Sequence, residues 1–236
     1  MSGEALHSQL DEIERIHGLY SPAALGLASA LACGAFTFLL GGGPLEMILA
    51  FAGAGIGNAI RCKLGKHHFT LFMCIAVSVS SACLVYAGFL KLAELLFHIS
   101  VQHEAGYICS MLFIIPGFPF ITSGIDLAKL DMRSGLERLA YAIIVVMVAA
   151  VSAWLMALLL HLKPVDFLPL ELSAAQRILF RLLASFCGVF GFSVMFNSPV
   201  RLAAAAAFIG ALSNTLRLEL VDLAGFHLLP RLFSEH

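Results

Sequence analysis

The chain has 236 residues, 60% of them apolar and only 12% charged, with a mean hydropathy of +0.94. Soluble domains carry about 25% charged residues, whereas apolar runs of roughly 18 or more recur here, each able to cross about 30 Å of hydrocarbon, so a water-soluble globule is excluded. The formal net charge of −1 gives no electrostatic reason to expect nucleic acid as a partner. The class predicted is an all-α polytopic helical membrane protein with about seven transmembrane spans, its main partner the lipid bilayer.

In chain order, the lead-in 1–20 (MSGEALHSQLDEIERIHGLY) is acidic and lacks the basic start of a secretory signal. Leu6, Leu10, Ile13 and Ile16 share one stripe, which predicts a short amphipathic helix. Span one is expected at about 21–40, closed by the tight-turn composition Gly41-Gly42-Gly43-Pro44. Span two follows at about 45–60 and ends at Arg61-Cys62-Lys63; span three covers about 69–90. Lys91 to Glu104 is amphipathic and too polar to cross, which predicts a connecting helix at the interface.

Span four, at about 105–125, is interrupted by Pro116, Gly117 and Pro119. A charged hinge of Asp126, Lys129, Asp131, Arg133, Glu137 and Arg138 follows, and then span five at about 139–160. Tyr141 and Trp154 lie near the ends of that span, as in aromatic belts. After a loop with Lys163, Pro164, Asp166 and Pro169 come span six (178–196), the turn Asn197-Ser198-Pro199 and span seven (202–216). The tail is too short and interrupted to predict an eighth. The organisation expected is a lead-in at 1–20, a five-span membrane domain at 21–161 and the start of a second membrane domain at 174–236. Arg61, Lys63, Lys66, Lys129, Arg133 and Arg138 outweigh the basic residues of the alternate loops, which places the N-terminus and the 126–138 hinge in the cytoplasm. The membrane expected is the plasma (inner) membrane.

Part of the chain matches itself at a shift of 156 residues. Leu31–Arg61 falls on Cys187–Arg217, with Phe36 on Phe192, Thr37 on Ser193, Asn58 on Asn214 and Arg61 on Arg217. Five spans separate the two copies, and an odd shift inverts the second copy, as in secondary transporters with their substrate site at the repeat interface. The second copy stops early. That predicts either completion by a second membrane chain or homo-oligomer, or a shortened sequence.

Proline removes a backbone donor, and backbone groups freed at membrane depth need protein, water or a ligand. Pro116 and Gly117 are therefore the leading substrate-binding candidates, with packing as the other reading of the kink. Thr122 lies one turn on. Asp126 reads either as a coupling carboxylate, since charge inside a span is costly, or as a solvated group if the helix ends before it. Asp131 and Arg133 read as hinge ion pairs or gating groups. Arg138 could grip a carboxylate or snorkel to the interface. Asn58 and Asn214 either hydrogen-bond between helices or line the pathway.

Six scattered cysteines and nine histidines show no ligand spacing; His67-His68 point different ways on a helix. No metal, no cofactor and no enzymatic activity are expected, since phosphate loops, GxSxG and paired carboxylates are missing from the sequence.

PGFPFITSGIDLAKLDMRSGLERLAYA resembles the signature of the threonine/serine exporter family, through Pro116, Gly117, Thr122, Asp126, Gly135 and Arg138. FTFLLGGGPLEMILAFAGAGIGNAIR is similar to that family's opening span and glycine turn, and FGFSVMFNSPVRLAAAAAFIGAL to the start of its second membrane domain. The resemblance implies a secondary transporter that exports a small polar solute, threonine or serine in the first place, by proton-coupled alternating access. It also implies an alternative, a subunit of a split transporter, since relatives divide the two domains between polypeptides and some are implicated in dicarboxylate export. Family members carry a longer segment before the first span, and a complete second domain.

Overall fold

The structure is a computed structural model and describes residues 18–97, 104–162, 170 and 172–223. The expected amphipathic lead-in helix and the end of the tail lie outside the described residues. Among the described residues there are seven α-helices: α1 (Pro22–Leu39), α2 (Pro44–Lys66), α3 (Leu71–Phe97), α4 (Gly117–Ala128), α5 (Met132–Leu160), α6 (Ala174–Met195) and α7 (Val200–Leu223). Between α3 and α4 run two 3₁₀ segments, Glu104–Tyr107 and Cys109–Ile114. Six of the helices are long and apolar enough to cross a membrane. The exception, α4, has 12 residues and reaches only about 18 Å at 1.5 Å per residue.

Local chemistry fixes the helix ends. Pro22 and Pro44 each open a helix where a missing N–H costs nothing. The Ser21 Oγ accepts from the Ala24 N–H at 3.2 Å. Ser173 and Gln176 form a capping box that starts α6 four residues before the apolar run at 178. Asp131 caps α5 and starts it at Met132 rather than at 139, because two charged turns helical in structure look polar in a hydropathy window.

Two expectations are corrected. Lys91–Phe97 does not leave the bilayer span as a separate interfacial helix; it continues α3, because KLAELLF holds strong helix formers and no breaker. Span four is not one kinked α-helix. Its first half is 3₁₀, which rises faster per residue than α-helix, and its second half is the short α4.

The core is built from small residues that let backbones approach. Cβ atoms added at Gly53 or Gly57 of α2 would come within 2.9 Å of Ala82 on α3, so these glycines set that helix contact. Cys33, Ala54, Val79, Cys83, Phe113, Val145 and Ala149 fill the centre, drawn from α1, α2, α3, α5 and the second 3₁₀ segment.

The two copies of the repeat share one local structure. In the first turn the N–H groups of Leu40, Gly41 and Gly42 donate to the carbonyls of Phe36, Phe38 and Thr37; in the second those of Phe196, Asn197 and Ser198 donate to Phe192, Val194 and Ser193. Each residue of one set lies 156 positions from its counterpart, and Gly41 (φ 102°) and Asn197 (φ 62°) both take the left-handed conformation. Helices α1 and α6 pack antiparallel: Tyr20 meets Ser198, Ala28 and Ala32 meet Gly191, and Phe38 meets Phe180. Near the middle the equivalent rings Phe36 and Phe192 touch edge to face, with centroids 5.3 Å apart.

Candidate functional site

The interruption sits at Ile115–Pro116–Gly117. The Ile115 N–H donates to Leu112 O (3.1 Å) in the 3₁₀ pattern, and Ile115 itself is extended (ψ 119°). Pro116 has no N–H and the Gly117 N–H turns back to Ile115 O at 2.9 Å, so the Phe113 carbonyl has neither helical partner. Pro119 removes a further donor in the next turn. Around Gly117 nothing comes within 4 Å of an added Cβ, so the break borders open space.

Beside it lies a cavity of about 160 Å³ walled by Pro116 and Pro119, by Leu71 and Ile75 of α3, and by Tyr141 of α5. Arg61, at the end of α2, and Phe196, at the second repeat's turn, also line it. A cationic guanidinium, a phenol and loosened backbone thus meet at one small concavity, a combination suited to a small zwitterion or carboxylate.

The hinge residues form a corner rather than joining that cavity. Arg138 Nη1 pairs with Asp126 Oδ2 at 3.1 Å and ties α5 to α4. The buried Ser123 hydroxyl donates to Gly135 O at 2.7 Å across the same corner. A Cβ at Gly135 would lie 2.7 Å from the Leu127 side chain, so only glycine fits. Asp131 accepts from the Ser134 N–H, and Arg133 pairs with Glu137 at 3.1 Å on the exposed surface. The Thr122 hydroxyl donates to Phe118 O and Pro119 O, one turn back on its own helix.

The two asparagines act in equivalent places. Asn58 is buried and donates from α2 to Leu25 O of α1 at 3.0 Å; Asn214 donates from α7 to the Ser185 hydroxyl of α6 at 2.8 Å. Each holds together its own helical hairpin. Arg217 donates to Asn214 Oδ1.

Arg61 and Tyr141, by sequence a topology marker and a belt aromatic, both line this cavity. Among the described residues no group of three or more His, Cys, Asp or Glu is placed to hold a metal ion.

Six spanning helices, an internally repeated helical hairpin and an interrupted element beside a polar-edged cavity define a polytopic membrane protein of the transporter class. The chain belongs to the ThrE family, whose model, described as "Putative threonine/serine exporter", matches residues 1–161. That match ends before α6, so the similarity of FGFSVMFNSPVRLAAAAAFIGAL to a second membrane domain lies outside it. No curated protein and no solved structure matches the chain.

Proposed function

We propose that this protein is a secondary transporter of the plasma (inner) membrane that exports a small polar metabolite, threonine or serine first, in exchange for protons. The observation that carries the reading is the break at Ile115–Gly117 beside the Arg61-lined cavity, in a chain of an exporter family. Backbone loosened by the break at Pro116 and Gly117, the Phe113 carbonyl first, takes the amino group, and Arg61 takes the carboxylate. Dicarboxylates suit the same guanidinium.

The basic ends of α2 and α5 face the cytoplasm, together with the N-terminus. The cavity then opens on the cytoplasmic half, where an export substrate enters. Asp126 and Arg138 serve as a latch on the α4–α5 corner, with Asp131 and Arg133 fixing the start of α5. The two repeat hairpins rock against the rest about the α1–α6 contact.

The test is uptake into inside-out vesicles under an imposed pH gradient, lumen acid. Labelled threonine or serine accumulates, and collapsing the gradient abolishes the accumulation. If threonine, serine and dicarboxylates all stay outside while a control exporter in the same vesicles works, the proposal is lost.

A second reading, a subunit completed by another membrane chain, is favoured by an apolar groove of about 530 Å³. It lies between α1, α2 and α6 and is walled by Leu31, Phe38, Phe51 and Phe180. A stoichiometric second membrane protein or a stable homo-oligomer on mild-detergent purification supports it; a monomer active after reconstitution alone removes it.

A further inference from the structure

Among the described residues, one carboxylate lies far from water. Glu46, in the first turn of α2, is only 1% exposed. Burying an ionised side chain in a membrane-spanning helix is costly, and carboxylates kept there against that cost mark proton and ion pathways. Its surroundings form a compact polar group. Tyr86 of α3 is fully buried and close enough to interact with it electrostatically, as is Cys109 of the second 3₁₀ segment. Thr37 of α1, fully buried, donates its hydroxyl to Cys33 O at 2.8 Å and lies beside the Cys109 thiol. Tyr86 and Cys109 are titratable groups that face Glu46 from neighbouring elements.

The group is pressed against the irregular stretch between α3 and α4. A Cβ on Gly106, in the first 3₁₀ segment, would overlap the Tyr86 hydroxyl and approach Glu46 Cβ to 3.1 Å. From Gly106 the 3₁₀ backbone runs past Cys109 and Ser110 straight to the break at Pro116. One irregular element therefore touches the buried carboxyl at its start and the Arg61-lined cavity at its end. Glu46 is at the Gly41-turn end of the bundle and the cavity is at the opposite end, with the Asn197 turn.

We propose that Glu46 is the proton-carrying group of the exporter, and that its charge state sets the position of the 3₁₀ segment and through it the cavity at Pro116. The inference rests on the exporter reading and assigns its coupling site. The carboxylate takes up one proton from the outer side and becomes a neutral acid, which turns a group that only accepts hydrogen bonds into one that also donates, changes its fit against Tyr86 and Gly106 and lets the 3₁₀ segment shift. In the inward state the same proton leaves to the cytoplasmic side and the carboxylate is restored, so each cycle moves one proton in against one solute out. Tyr86 is a positioning residue, holding the carboxyl against Gly106.

The experiment uses the full chain in proteoliposomes with threonine as probe, in two modes. Counterflow exchanges labelled for unlabelled threonine without net proton movement; gradient-driven uptake requires it. Wild type performs both. Glu46→Gln is expected to keep counterflow and to lose all acceleration by the pH gradient, and Glu46→Asp to regain the acceleration with a displaced pH profile. Glu137→Gln, which removes an exposed carboxylate, keeps the gradient response. The proposal is overturned if Glu46→Gln responds to the gradient as wild type does. It is also overturned if Glu46→Gln and Glu46→Asp both lose counterflow, since that marks a structural role. If wild type itself exchanges neither threonine, serine nor dicarboxylates, it is the exporter reading that fails.

Discussion

At Gly135 the absence of a side chain decides whether α4 and α5 can meet. Gly135→Ala places a methyl 2.7 Å from Leu127, and relief needs one of the two helices to move. A loss of about 1–3 kcal/mol is expected, the usual cost of overpacking, seen as a lower melting temperature of the purified protein in detergent. The neighbouring Asp126–Arg138 pair is worth much less. Half of the Arg138 side chain is exposed, and a double-mutant cycle with Asp126→Asn and Arg138→Gln should give a coupling of under about 1 kcal/mol. Asn58 separates two roles by measurement. Its amide is spent on Leu25 O, so Asn58→Ala should cost about 0.6 kcal/mol and leave the KM for threonine unchanged. A several-fold rise in KM would instead make it a pathway residue. Residue roles were the least legible part of the sequence. Glu46 opens the expected second span at its very edge, where a carboxylate looks interfacial; only the fold shows that the Gly106 backbone and Tyr86 close over it. Arg61 looked like a topology marker for a similar reason. The cavity it lines is assembled from five parts of the chain, and no local pattern encodes that.

Elements were read more easily, except where helix type changed without a change in hydropathy. The long apolar runs became α1, α2, α3, α5, α6 and α7, since length and apolarity suffice for a spanning helix. The 3₁₀ character of Glu104–Tyr107 and Cys109–Ile114 left no periodic mark, because segments of four and six residues are too short to show a period. The prolines did announce the break. Replacing both Pro116 and Pro119 by alanine restores two N–H donors and lets α4 grow back towards Ile114. Threonine transport should then fall by at least about tenfold with melting temperature unchanged or higher, the trade-off expected where a strained segment serves function. At the far end of α6, Arg181 binds Glu219 at 2.6 Å and Asp222 at 2.8 Å on α7, with its side chain 16% exposed. Arg181→Met should cost about 2–3 kcal/mol, because two largely screened carboxylates lose their common partner. Thermal melting with and without high salt would show it; insensitivity to the substitution would place those carboxylates in water.

On the scale of the whole molecule, the 156-residue repeat became a pair of hairpins whose first helices cross antiparallel. The identities in sequence were few, yet the turn hydrogen bonds recur at the same offset and the equivalent asparagines both clasp their own hairpin, through acceptors one turn apart, since backbone geometry persists where apolar side chains drift. The arrangement puts the ends of α2, the α4–α5 corner and the Asn197 turn at one end of the bundle, and the Gly41 turn and the start of α6 at the other. Single cysteines at Lys66, Lys129 and Ser198 in a background without the native cysteines should therefore react with an impermeant thiol reagent from one face of the membrane, and those at Gly42 and Arg177 from the other. Labelling of Lys129→Cys and Ser198→Cys from opposite faces would contradict the fold.

The contact between Phe36 and Phe192 carries one more consequence. Where two copies of the same surface meet through matching residues, tilting one way and tilting the other make nearly the same set of contacts. The two tilted forms are then close to degenerate, and a bias of a few kcal/mol, on the scale of one ionisable group changing its charge, selects between them. Duplication of a single hairpin would in this way supply a two-position switch without a second shape having to be written into the chain.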